Sequence, residues 1–182
     1  MIAIADEAPD HFGAREALLD LSFGPDRFLK TSHRLREGRV PVFAFAVLDE
    51  TDRLIGTVRL WRVCGAGSGE SLLLGPLAVD PSCRGLKVGG RLMRHALHQA
   101  AVCGHGSVIL VGDLPYYQRF GFAAGLLDGV DMPGPVDRGR FLGLDLQAGH
   151  LSGLSGELAG AGPLDPVAVP QVHGMGSLPK AA

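Results

Sequence analysis

The stretch between residues 71 and 101 constrains the fold most. Ser71-Leu-Leu-Leu-Gly-Pro-Leu-Ala-Val79 is apolar on both alternating faces, as a strand covered from both sides must be. Asp80-Pro81-Ser82 closes it, and a basic, glycine-containing turn occupies 84–91. From Val88 onward Leu92, Met93, Ala96, Leu97, Ala100 and Ala101 recur at spacings of three and four. That is the stripe of an amphipathic helix packing on a sheet. A buried strand, a glycine turn and a helix in this order predict an α/β layer fold. Proline cannot donate to a sheet ladder, so Gly75-Pro76 inside the strand predicts a bulge or a splayed edge.

The flanking sequence supplies the other layers. Ile2-Ala3-Ile4 reads as an edge strand. Phe12, Ala14, Ala17, Leu18 and Leu21 give 11–22 helical spacing, which Gly24-Pro25 ends. The Arg- and Lys-bearing stretch 26–37 reads as a second, solvated helix. Residues 42–48 and 54–63 flank the acidic turn Asp49-Glu-Thr-Asp52 and predict an antiparallel hairpin. Further on, 108–111 and 141–146 read as strands and 115–119 as a short helix. From about Ala148 glycines and prolines interrupt any period, so an irregular, partly ordered extension is expected there.

Composition narrows the function. With 17 Lys plus Arg against 19 Asp plus Glu, the net charge of −2 gives no global pull towards nucleic acid or an anionic membrane. The chain has 27 glycines and 12 prolines among 182 residues, above the usual level of about 12% but short of the roughly 25–30% that marks low complexity. No apolar run reaches the roughly 18 residues of a membrane span. The start, with Asp6, Glu7 and Asp10, lacks the basic-then-apolar order of a secretory signal. Cys64, Cys83 and Cys103 form no Cys-x-x-Cys pair, so free thiols and a cytoplasmic address are expected, with no metal.

The chemistry points to the turn at 84–91. Amides at a helix start lack intrahelical acceptors and carry about half a positive charge, so a glycine turn there admits a phosphate. Arg84, Lys87 and Arg91 add side-chain charge. A P-loop is excluded because Gly85 and Gly90 are followed by Arg91-Leu92 rather than Lys-Ser/Thr, and Gly-x-Gly-x-x-Gly is absent here. A plain glycine-packed connection is the competing reading.

Two blocks resemble the GCN5-related N-acetyltransferase (GNAT) superfamily, and within it a YhbS-like bacterial subgroup. Leu74-Gly-Pro-Leu-Ala-Val-Asp-Pro-Ser-Cys-Arg-Gly-Leu-Lys-Val-Gly-Gly-Arg-Leu-Met93 is similar to the family's Arg/Gln-x-x-Gly-x-Gly/Ala motif. Val111-Gly-Asp-Leu-Pro-Tyr-Tyr-Gln-Arg-Phe-Gly-Phe122 is similar to its later Tyr-x-x-x-Gly-Phe segment. The resemblance implies a mixed, mostly antiparallel sheet flanked by helices with a splayed central strand pair, over a domain of residues 1–147, leaving 148–182 as a Gly/Pro-rich extension. It implies acetyl-CoA as cosubstrate, with the pantetheine arm against Leu77, Ala78 and Val79. The pyrophosphate would sit on Arg84, Gly85, Leu86, Lys87, Val88, Gly89, Gly90 and Arg91. Tyr117 matches the family tyrosine that protonates the departing thiolate, a role suited to a phenol neutral at pH 7. The implied partner is a small-molecule or peptide amine, with no nucleic acid and no membrane; a homodimer stays open. Lys87 departs from the family pattern, which has glycine there. Its side chain either crowds the pyrophosphate or pairs with it.

Other candidates have plainer readings. Tyr116 reads as packing, Trp61 as core or pocket wall, and Glu70 as a loop carboxylate able to relay a proton. His95 and His98 read as a solvated helix face rather than a metal site, and Ser82 and Cys83 lack a recognisable His or Asp partner. A non-catalytic acyl-CoA-binding or sensing module is the alternative function, and a phosphate-ligand protein unrelated to CoA a third.

Overall fold

A computed structural model describes residues 3–66 and 69–166. Its elements run β1 (Ala3–Asp6), α1 (Phe12–Phe23), α2 (Thr31–Arg34), β2 (Phe43–Leu48), β3 (Leu54–Cys64), β4 (Glu70–Val79), α3 (Val88–Val102), β5 (Ser107–Val111), α4 (Leu114–Tyr117), β6 (Val130–Asp131), β7 (Phe141–Asp145), β8 (Gly156–Glu157) and β9 (Ala159–Gly160). The main sheet has the order β1-β2-β3-β4-β5-β7, with β9 added beside the end of β3. Every pairing in it is antiparallel except β4 with β5, which α3 joins by a crossover. The expected mixed, mostly antiparallel sheet flanked by helices is therefore present.

Side-chain alternation assigns the two faces. Phe45, Val58, Leu60, Leu72, Leu74, Val108 and Leu110 meet the α3 stripe of Val88, Leu92, Met93, Ala96 and Ala100. On the other face Ala46, Leu54 and Ala78 pack under Leu18 and Leu19 of α1. Beside them Trp61, Val63, Leu73 and Ile109 pack with Phe141, Leu151, Leu154 and Leu158. Burying a Leu or Val side chain contributes about 1.5–3 kcal/mol, so both covers matter to stability.

Three sequence expectations change. The segment 26–37 is no continuous helix: a 3₁₀ turn at Pro25–Leu29 and the single turn α2 are separated by the extended Lys30. Its contacts explain the break. Arg27 reaches back to Glu16 and Asp20 on α1, while Thr31 and Arg34 donate to the carbonyls of Pro135 and Pro133. One straight helix cannot serve both directions. The edge strand begins at Ala3, Met1 and Ile2 lying outside the described residues, and the last long strand ends at Asp145.

The third change concerns the stretch after Ala148. Leu151, Leu154 and Leu158 are buried, β9 pairs with β3, and β8 pairs with β6. Glycines in the β3–β4 loop make room for it. A Cβ on Gly65 would lie 2.4 Å from the Ser155 carbonyl oxygen, and one on Gly69 would lie 2.8 Å from that of Gly153. The part of the expected irregular extension that follows residue 166 lies outside the described residues.

Candidate functional site

The central strand pair opens where the sequence places Gly75-Pro76. β4 and β5 are in register only at Leu72–Val108 and Leu73–Ile109, and beyond Leu73 the β5 side of β4 has no strand partner among the described residues. Opposite β3, Leu60 faces Leu74 but Val58 faces Leu77, so β4 carries one extra residue. That residue resets the alternation: Leu72 and Leu74 face α3 before the bulge, Leu77 and Val79 after it. Trp61 holds the bulge in place, its indole N–H donating to the Gly75 carbonyl at 2.9 Å.

Two cavities lie beside this opening, and the consecutive residues Tyr116 and Tyr117 line one each. The first is a groove of about 510 Å³ at the start of α3, lined by Val79, Cys83, Arg84, Gly85, Lys87, Val88, Gly89, Gly90, Arg94, Tyr116 and Arg119. The first turn bond of α3 runs from Arg91 N–H to the Lys87 carbonyl. The amides of Val88, Gly89 and Gly90 therefore have no acceptor within the helix. Around them stand the cations Arg84, Lys87, Arg94 and Arg119, with no carboxylate among the lining residues. The Tyr116 hydroxyl lies 2.9 Å from where a Cβ on Gly89 would be, and Arg119 stacks on the Tyr116 ring at 3.9 Å. Lys87, at the N-cap of α3, adopts φ 58 and ψ 22, the left-handed conformation that glycine tolerates and lysine rarely adopts. A glycine-like backbone is thus kept at the position where the family motif has glycine.

The second cavity, of about 220 Å³, lies in the splay itself. Leu73 to Leu77 of β4, Val111, Gly112, Asp113 and Tyr117 form one side, and Phe23, Arg27, Lys30, Ser32 and Arg36 form the other, with Arg140 at the rim. Its volume is below the roughly 300–1,000 Å³ of a full ligand pocket, so it suits the reacting end of a ligand whose remainder lies elsewhere. Burial first, then the neighbouring Tyr116 and Asp113, push the Tyr117 phenol up to about 12. It is a neutral donor across the physiological range. A Cβ on Gly112 would lie 2.2 Å from Tyr117 Cε2, so only glycine leaves the ring this position.

The structure therefore gathers most of the sequence candidates around one opening. Leu77 and Tyr117 line the cleft, and Val79, Arg84, Gly85, Lys87, Val88, Gly89 and Gly90 line the groove. Ala78 points to the other face, beneath α1. Leu86, 55% exposed, and Arg91 stand outside both linings. Glu70 begins β4, ion-paired with Arg62 at 3.2 Å and four residues before the opening. Ser82 donates its hydroxyl to Asp80, and among the described residues no histidine lines the groove beside Cys83. His95 packs edge-on to Phe45 at 4.6 Å. Among the described residues no three His, Cys, Asp or Glu side chains converge as metal ligands, and no helix is long and apolar enough to cross a membrane. Sequence reasoning missed Arg94, one turn along α3 from Gly90, and Arg119, three residues after Tyr116. Helical spacing alone puts both near the turn. It also missed Gly112 and Arg36, which no local pattern marks.

A splayed parallel pair with a helix-start anion groove on one side is an acetyltransferase-type arrangement, and the chain is similar to the GNAT family over just under half of its length. The family model described as an acetyltransferase (GNAT) domain matches residues 41–124. The chain is 32% identical over 108 residues to the uncharacterised N-acetyltransferase YhbS of Escherichia coli K12, covering 59% of this chain and 65% of that relative, so just under two thirds of its length is matched. The crystal structure of E. coli YhbS in complex with CoA superposes with a TM-score of 0.76 at 27% identity, covering 88% of this chain and 89% of that one. A GNAT family acetyltransferase from Brucella melitensis, in complex with acetyl-CoA, has the same fold at 23% identity, with a TM-score of 0.67 and coverage of 88% and 96%.

Proposed function

We propose that this chain transfers an acetyl group from acetyl-CoA to an amine by direct attack. The observation that carries the reading is the placing of the anion groove at α3 next to the cleft that holds Tyr117, with consecutive tyrosines lining one each. The groove fits a diphosphate: three free amides, four cations and no opposing carboxylate line it. Lys87 belongs to that set, and pairing of its ammonium with a phosphate is part of the reading. The unpaired edge of β4 at 77–79 offers backbone groups to the amides of the pantetheine arm, and the cleft then receives the acetyl end. The CoA complex of the E. coli relative supports CoA as the ligand class.

The residues of the cleft divide the chemistry. The amine nitrogen attacks the acetyl carbon, the carbon–sulfur bond breaks, and the Tyr117 hydroxyl gives its proton to the leaving sulfur. Such donation matters most as charge develops on sulfur, so it acts on the transition state more than on binding. The amine must arrive neutral, and the proton its nitrogen sheds after attack returns through solvent to restore the Tyr117 phenol. Asp113 is the one carboxylate lining the cleft, and Arg140 holds it at 3.2 Å.

Calorimetric titration with acetyl-CoA and thiol release over an amine panel test the reading together. Wild-type protein is expected to bind acetyl-CoA and release CoA when an amine is supplied. Gly89→Glu puts a carboxylate into the groove and should abolish binding. Binding without release over the whole panel would favour an acyl-CoA sensor, and no binding at millimolar acetyl-CoA would overturn both.

A further inference from the structure

The cleft carries a charge pattern that bears on the acceptor, granted the transferase reading above. Four of its lining side chains are cations, Arg27, Lys30, Arg36 and Arg140, against the single carboxylate of Asp113, in a chain whose net charge is −2. Two of the four are already matched. Arg27 pairs with Glu16 and Asp20 at 2.5 and 2.7 Å, and Arg140 pairs with Asp113. The other two are not. The Lys30 ammonium rests on the Phe23 ring at 4.8 Å, and among the described residues the Arg36 guanidinium has no hydrogen-bond or ion-pair partner. Half-buried guanidinium groups rarely stand without an acceptor, since desolvation without pairing is costly.

We infer that Arg36 and Lys30 form an anion subsite for the acceptor, which is a small amine that also carries a carboxylate or phosphate a few bonds from its nitrogen. Burial, followed by repulsion from Arg27, lowers Arg36 to about 10, the signature of a cation held in place without its counter-ion. The position fits an acceptor rather than the nucleotide end of CoA. Arg36, Lys30 and Phe23 come from the α1–α2 segment, on the side of the sheet away from the α3 groove. The arrangement also addresses deprotonation. An ammonium brought beside two unmatched cations loses its proton more readily, so the cleft favours the neutral, nucleophilic amine without a dedicated carboxylate base. A purely cationic polyamine is repelled by the same charges.

Matched probes test this by calorimetry, on the protein alone and saturated with CoA. They are free amino acids against their carboxamides, phosphoethanolamine against ethanolamine, and spermidine. The anionic member of a pair should bind at least about ten times more tightly, and Arg36→Gln should erase the difference while CoA affinity stays unchanged. The amino-acid and phosphate pairs separate the two anion sources. Equal affinity within both pairs, tighter binding of spermidine, or a preference that survives in Arg36→Gln would each overturn the subsite. Anion preference without any CoA release would leave the subsite standing and count against the transferase reading alone.

Discussion

The rings of Tyr116 and Tyr117 meet edge to face at 4.9 Å, and the pair separates two sites. Tyr116 lies over Gly89 in the anion groove, and Tyr117 lies over Gly112 in the cleft. Consecutive residues at the end of α4 thus face different cavities. Their substitutions should separate binding from chemistry.

Tyr117→Phe should lower kcat by about 10²–10⁴-fold with acetyl-CoA affinity nearly unchanged, because general-acid help is confined to the transition state. Single-turnover rates are the appropriate measure if product release limits kcat. Tyr116→Phe should do the reverse, weakening acetyl-CoA binding several-fold with kcat preserved. A rate loss in Tyr116→Phe with Tyr117→Phe normal would exchange the two roles.

The raised Tyr117 value also makes a stability prediction. Between about pH 10 and 12 the unfolded chain loses the phenol proton while the folded chain keeps it. The folded state then binds more protons, so stability present below pH 10 is lost as pH rises towards 12. Chemical denaturation across this window should show a shallower fall in Tyr117→Phe than in the wild type. Parallel curves would mean the phenol is not held neutral by burial.

Gly112→Ala tests the support under the ring. Its methyl would fall within 3.1 Å of three ring atoms of Tyr117 and must push the ring out of the cleft. The expected result is a kcat loss approaching that of Tyr117→Phe, with acetyl-CoA affinity retained. Full activity would show that the ring position is not what matters.

These residues differ in how far the sequence discloses them. The apolar 71–79 run and the 3–4 spacing after Val88 mark β4 and α3 because burial on two faces, and on one stripe, leaves a periodic trace. The bulge is readable at Gly75-Pro76, since proline cannot serve a ladder. Arg36 and Gly112 leave no such trace. Their roles depend on a neighbour brought in by tertiary packing, Arg36 by the broken 26–37 segment and Gly112 by a ring five residues on. The packing of Leu151, Leu154 and Leu158 is likewise invisible locally, because irregular chain has no period and its partners are distant strands.

Lys87→Gly separates cost from use at the helix cap. Removing Cβ relieves a left-handed residue by about 1–2 kcal/mol, while the freer unfolded chain takes back about 0.4–1. A net gain of roughly 0.5–1 kcal/mol should raise Tm by about 1–4 °C. Acetyl-CoA affinity should fall several-fold, and the difference from wild type should shrink at high salt, as loss of a phosphate-facing charge requires. Unchanged affinity would mean that the Lys87 ammonium points away from the groove.

A buried ion cluster ties α1 to the sheet, and with it the wall that carries Lys30 and Arg36. Glu7, just past β1, is only 4% exposed and binds both Arg15 of α1 and Arg59 of β3, the Arg59 Nε contact measuring 3.0 Å. Removing the shared acid leaves two guanidiniums competing for less. Arg15 keeps Glu16 at 2.8 Å, and Arg59 retains the Trp61 ring at 5.7 Å. Breaking a buried pair typically costs about 3–5 kcal/mol, and these residual contacts put Glu7→Gln near the lower end, about 3. The double variant Glu7→Gln/Arg15→Gln should lose less than the sum of its singles, because the second change removes a charge already without its partner. Urea denaturation of the four proteins in this cycle measures both quantities. A single-variant loss below about 1 kcal/mol, or strict additivity, would show that packing of Leu18 and Leu19, rather than the ion cluster, holds α1 in place.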